Sequence, residues 1–109
     1  MPQYALLADH TPDICPGSNG RTRARALEGT GPDNMQKVCA DLGVSFVLEP
    51  LHLDPSHRVL AVLEAPSIET VTEFVMATGL FQWNTVESYP VTPIAEMMQR
   101  VSEFPVVFE

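Results

Sequence analysis

Two apolar, strand-forming runs, VSFVLEPLHL over 44–53 and HRVLAVLEA over 57–65, are separated by only Asp54, Pro55 and Ser56. A gap that short leaves the chain little choice but to turn back on itself, which predicts an antiparallel hairpin. The neighbouring segments arrange themselves around it. QYALLADH (3–10) is a short apolar run closed by the turn-rich TPDICPGSNG, the pattern of a first strand and its exit loop. Tyr4, Leu6, Ala8 and His10 share one face of that strand and Ala5 and Leu7 the other, so both faces call for cover. From Ser18 the spacing turns helical, with Ala24, Leu27, Met35, Val38, Cys39 and Leu42 recurring at three and four residues. Gly29, Gly31 and Pro32 split this helix, Asp33 suits a cap for its second half, and Gly43 ends it.

After the hairpin, Ser67 as cap, Glu69 in the first turn and Ile68, Val71, Phe74, Val75 and Thr78 on one face predict another helix, stopped at Gly79. QWNTVESYPV (82–91) reads as a last strand, and Thr92-Pro93 as the cap and first position of a short helix running to Val101. The order strand, helix, strand, strand, helix, strand is that of a ferredoxin-like βαββαβ α+β domain, here one domain over 1–109 with a short final helix and an apolar tail. Right-handed crossovers then give an antiparallel sheet in the order 4-1-3-2. With helices on one face, the other still carries many apolar residues, more than a soluble monomer usually exposes. A second copy packed sheet to sheet is the expected cover, as a homodimer or the unit of a larger oligomer.

Charge narrows the partners. Six Lys and Arg against fourteen Asp and Glu leave a net charge of −8, which repels phosphates and so argues against nucleic acid or an anionic membrane as a main partner. Two cysteines, 15 and 39, form neither a disulfide framework nor a CxxC pair, and the opening MPQYALLADHTPD lacks the pattern of a signal peptide. A cytoplasmic location is the corresponding expectation.

The topology sends the unusual side chains to one edge of the sheet. His10 ends the first strand, Cys15 follows in its loop, His52 is near the end of the second strand, His57 opens the third, and Trp83 opens the fourth. Imidazole and thiolate suit Zn, Ni, Cu or Fe, so His10, Cys15 and either His52 or His57 are candidate metal ligands, with Asp9, Asp13 or Asp54 as carboxylate ligands or orienting partners. A second reading makes Cys15 a reactive thiol just before the first helix, with His10 as its base. A third places a small organic ligand between sheet and helices, lined by Tyr4, Phe46, Phe81 and Trp83, with His10 as acid or base. Each competes with an ordinary structural role: exposed hairpin histidines, a space-filling thiol, core aromatics. Arg21, Arg23 and Arg25 read as a solvated, charge-balancing surface, and Cys39 as a buried structural thiol.

The order of elements, the segment HRVLAVLEAPSIETVTEFVMATGL and the ending QWNTVESYPVTP resemble small proteins of the dimeric α+β barrel superfamily. The resemblance covers roughly residues 3–95 and lies in pattern more than in motif. HTPDICPGSN is similar to the segment that follows the first strand in a group of uncharacterised bacterial members. The superfamily includes muconolactone isomerases, antibiotic-synthesis monooxygenases and small nickel-binding proteins. Resemblance therefore implies the ferredoxin-like fold and a dimer, and leaves either a metal-binding protein or a cofactor-independent enzyme open.

Overall fold

The computed structural model describes residues 1–109. Strand β1 (Gln3–Asp9) leads through a 3-10 turn at Pro12–Ile14 to helices α1 (Gly20–Gly29) and α2 (Pro32–Leu42). Strands β2 (Ser45–Leu53) and β3 (Arg58–Glu64) form the hairpin, followed by α3 (Ile68–Ala77), β4 (Thr85–Pro90) and α4 (Ile94–Val101). The four strands make one antiparallel sheet in the order β2-β3-β1-β4, the expected order read from its other edge and compatible with a ferredoxin-like arrangement. No helix is long and apolar enough to cross a membrane.

Local chemistry sets the boundaries. Asn19 caps α1 by accepting from the Thr22 N–H, and Ser67 caps α3 by accepting from that of Thr70. Pro32 takes the first position of α2, where its missing N–H costs nothing, and Gly43 closes the helix at φ 68°. Asp33 lies in the first turn of α2 and Gly31 holds the cap, two residues earlier than expected. A second left-handed glycine, Gly79 at φ 74°, starts a 3-10 turn over Leu80–Gln82, which delays β4 to Thr85. Trp83 therefore caps that turn instead of opening the strand. Pro93 caps α4, so the helix begins at Ile94.

The core lies between one sheet face and helices α2 and α3. Tyr4 and Leu6 from β1 and Ala61 and Leu63 from β3 meet Val38, Val71, Phe74 and Val75, with Phe46 edge-on to Phe74 at 5.9 Å between ring centroids. Helix α1 departs from the expected stripe: Thr22 and Ala26 point inward, while Leu27 is 71% exposed. The break at Thr30–Gly31 resets the helical phase, so one periodicity cannot run through both helices. Gly29 lies where α1 meets the end of α3, and a Cβ there would stand 2.0 Å from the Thr78 carbonyl oxygen. Gly29→Ala is therefore expected to cost about 1–3 kcal/mol in a urea denaturation series. An unchanged midpoint would show that the two helix ends yield freely.

The opposite sheet face has no helix on it. Strand register gathers Ala5, Leu7, Leu60 and Val62 there, half-buried, beside the exposed Leu48, Leu51 and Tyr89.

Candidate metal centre

His10 lies just past β1, yet its N–H still bonds the His57 carbonyl oxygen at 3.3 Å, so the β1–β3 register continues one step and holds the two histidines side by side. Their ring centroids are 5.1 Å apart, and the Trp83 ring stands 5.2 Å from His10. The segment between β1 and α1 brings in Cys15. Its backbone is pinned throughout: the Ser18 and Asn19 N–H groups donate to the Cys15 carbonyl, the Asn19 amide to the Asp13 carbonyl, and the Ser18 hydroxyl to that of Pro12. From α1, the Arg23 guanidinium donates to the carbonyls of Pro16 and Gly17 at 2.8 and 2.7 Å. One ligand atom from each of His10, Cys15 and His57 then lies within 4.8 Å of the others, and all three residues are half-buried.

Asn84 fixes the chemistry of His10. Its side-chain nitrogen donates to the Leu80 carbonyl, which turns Oδ1 toward the His10 Nδ1 at 3.2 Å. An amide oxygen can only accept, so Nδ1 carries the proton and Nε2 of the neutral ring keeps its lone pair. Nε2 is buried and has no hydrogen-bond partner. A buried lone pair without a partner, on an imidazole oriented by a second residue through its other nitrogen, is the usual arrangement of a metal-ligating histidine.

The donor set fits a transition metal. Two imidazoles and a thiolate suit Zn, Cu or Ni, and tetrahedral bonds of about 2.0–2.3 Å would place the ligand atoms roughly 3.3–3.7 Å apart. Small side-chain rotations bridge that difference. Three protein ligands leave a fourth position free for water or another small ligand. Nearby, the Asp13 carboxyl is held below its ordinary range, first by a hydrogen bond from the Thr11 side chain and then by its own backbone N–H.

The other sequence candidates divide. His52 does not join: it lies on β2, which β3 separates from β1, and its Nδ1 pairs with the Asp54 carboxylate at the exposed hairpin end. Two inter-strand spacings of about 4.8 Å put it beyond reach of His10. Tyr4 packs in the core. Phe46 borders a cavity of about 270 Å³ between sheet and helices, together with Leu6, Ala8, Met35, Val59 and Phe74. Trp83 and Phe81 instead line an open groove beside His10. The four aromatics expected to line one pocket thus divide, Tyr4 and Phe46 belonging to the core, whose cavity Phe46 borders, and Phe81 and Trp83 to the groove.

Cys15 precedes α1 by a four-residue turn, Asn19 occupies the cap, and the sulfur accepts a long hydrogen bond from the Gly17 N–H at 3.4 Å. The helix end is therefore not at the thiol. Asn84 and Arg23 escaped the sequence reading. Asn84 could have been found by the same topological argument, since it lies just before β4 at the edge that holds His10. Arg23 gives no signal, because a single cation among three reads as surface.

Cys39, on the inner side of α2, has its thiol pushed up by burial, with the charge of Glu49 adding to the effect. A higher value means less thiolate at any given pH. In a Cys15→Ser background, the alkylation rate of Cys39 against pH should therefore have its midpoint above the free-thiol value of about 8.5. A midpoint at or below that value would contradict the buried placement.

No protein-family model matches this chain, and no curated protein matches it.

Proposed function

We propose that this protein binds a transition metal ion through His10, Cys15 and His57. The observation that carries the reading is the buried, partnerless Nε2 of His10, on a ring that groups with a second imidazole and a thiol within 4.8 Å. Strands in fixed register supply the two nitrogens and a pinned loop supplies the sulfur, so most of the ordering cost of the site is met by folding. The ion would polarise whatever occupies its fourth position. The strand and helix order supports the ferredoxin-like topology as the scaffold.

Elemental analysis and calorimetric titration with Zn²⁺, Ni²⁺ and Cu²⁺ test the proposal. About one ion per chain is expected, and the Co²⁺-loaded protein should show a thiolate-to-cobalt charge-transfer band. A purified chain that retains no ion and takes up none of these three would overturn it.

The cavity behind Phe46 favours a second reading, a small organic ligand held between sheet and helices. Its one polar lining side chain, Thr30, already donates its hydroxyl to the Ala26 carbonyl, so the space offers shape and little else. An NMR titration with indole decides. Shifts at the Ala8, Met35 and Ala61 methyl groups would support a binding site, whereas unmoved signals would leave a packing void.

A further inference from the structure

The three donors His10, Cys15 and His57 differ in one respect that ion binding alone does not use. A thiolate gives up electrons to mild peroxide, whereas the imidazoles beside it do not share that oxidation ladder. The sulfur is also lightly held. Cys15 is half-buried in a segment whose Thr11, Pro12, Asp13, Gly17 and Ser18 are exposed, and its Sγ takes only a long hydrogen bond, 3.4 Å from the Gly17 N–H. Gly17 presents no side chain, and a Cβ on it would stand 3.5 Å from Sγ. A bare, solvent-facing glycine thus abuts the sulfur, and a molecule as small as hydrogen peroxide can approach from that side. The other thiol is placed differently: Cys39 packs against the core from α2, and burial pushes its thiol up, which leaves less of the reactive thiolate.

We propose that Cys15 makes the centre redox-responsive: hydrogen peroxide oxidises its thiolate to the sulfenic acid, and the metal ion is released. This rests on the metal-binding reading given above. A coordinated thiol is already deprotonated. Its sulfur attacks one peroxide oxygen, an S–O bond forms as the O–O bond breaks, and the second oxygen leaves as hydroxide, which takes up a proton to become water. Sulfur loses the two electrons that peroxide gains. With Zn²⁺ bound, the metal exchanges none of them, because this ion has no redox chemistry of its own.

Release follows from the donor count. Oxidation removes the thiolate from a set of three and puts an added oxygen among ligand atoms that lie within 4.8 Å of one another. Two imidazoles in fixed register remain, and the loss of a ligand should lower affinity by more than about 100-fold. No second cysteine belongs to the cluster, so no disulfide within it traps the sulfenic acid. Recovery therefore needs an external thiol. A first thiol condenses with the sulfenic acid to a mixed disulfide and water, and a second displaces Cys15 as the thiolate, ready to bind the ion again.

The test uses the 109-residue chain loaded with Zn²⁺ and treated with hydrogen peroxide. A chromogenic zinc chelator reads the release, and dimedone labelling with peptide mass spectrometry locates the sulfenic acid. Mapping matters because Met1, Met76 and Met98 are exposed and oxidise without touching a ligand atom. Release should run in step with dimedone labelling of Cys15, and dithiothreitol added in place of dimedone should restore zinc uptake. Cys39→Ser should behave as the parent. Cys15→His, which offers three imidazoles, should keep its zinc in peroxide. Zinc that stays bound while Cys15 is converted, or that leaves while Cys15 is unmodified, would overturn the switch and leave the metal centre standing. Equal release from Cys15→His and the parent, or release that dithiothreitol does not reverse, would overturn it as well. Should Cys15→His take up no zinc, the mass spectra of the parent still decide. A parent chain that never loads zinc, nickel or copper fails the metal reading itself, a result distinct from all of these.

Discussion

Zn²⁺ affinity is expected to fall by more than about 100-fold on replacing His10 by Ala, because the loss of a ligand should exceed the 10–100-fold cost of losing a residue that merely orients one. The comparison with Asn84→Leu makes the experiment specific. Asn84 lies on the far side of the ring from Nε2, but its carbonyl oxygen accepts from Nδ1 and so, in the neutral ring, leaves the lone pair on Nε2 and orients it. Its removal should weaken binding by about 10–100-fold, leaving the thiolate-to-cobalt band in place, whereas Cys15→Ser should abolish that band. Chelator-competition titrations of the three variants rank them. Equal affinity in His10→Ala and the parent chain would remove the metal centre, and an Asn84→Leu variant indistinguishable from the parent would remove only the orienting role.

The largest effect on stability is expected from Phe74→Ala, at about 3–5 kcal/mol. Phe74 is 1% exposed, packs edge-on against Phe46 and touches both strand and helix layers of the core. It also borders the cavity of about 270 Å³, so its neighbours already face empty space on one side and have little reason to collapse into more. Urea denaturation followed by circular dichroism measures the loss. A cost below about 1 kcal/mol would mean that the layers close over the gap.

Hairpin spacing, helix caps and apolar periodicity carried most of the architecture because each is a local property. Asp54-Pro55-Ser56 permits only a tight connection, Ser67 accepts a particular backbone N–H, and Gly43 alone among its neighbours adopts a left-handed backbone. Strand order then placed His10 near His57, since β1 and β3 are adjacent, and the same order excludes His52 on the outer strand. What could not be read depended on contacts between segments distant in the chain. The phase of α1 changed at a helix break, and the aromatic set divided between the core with its cavity and an open groove. Asn84 lay within reach of the topological argument, but the tautomer it selects at His10 did not.

The ligands differ in what carries them: both imidazoles ride on the sheet, and the sulfur rides on a segment that reaches it from outside. An ion gripped there would act as a rivet through residues 11–19, and Arg23 would pass the stiffening on to α1. Loading would then show itself far from the nitrogen atoms, as resistance of that stretch to proteolytic nicking.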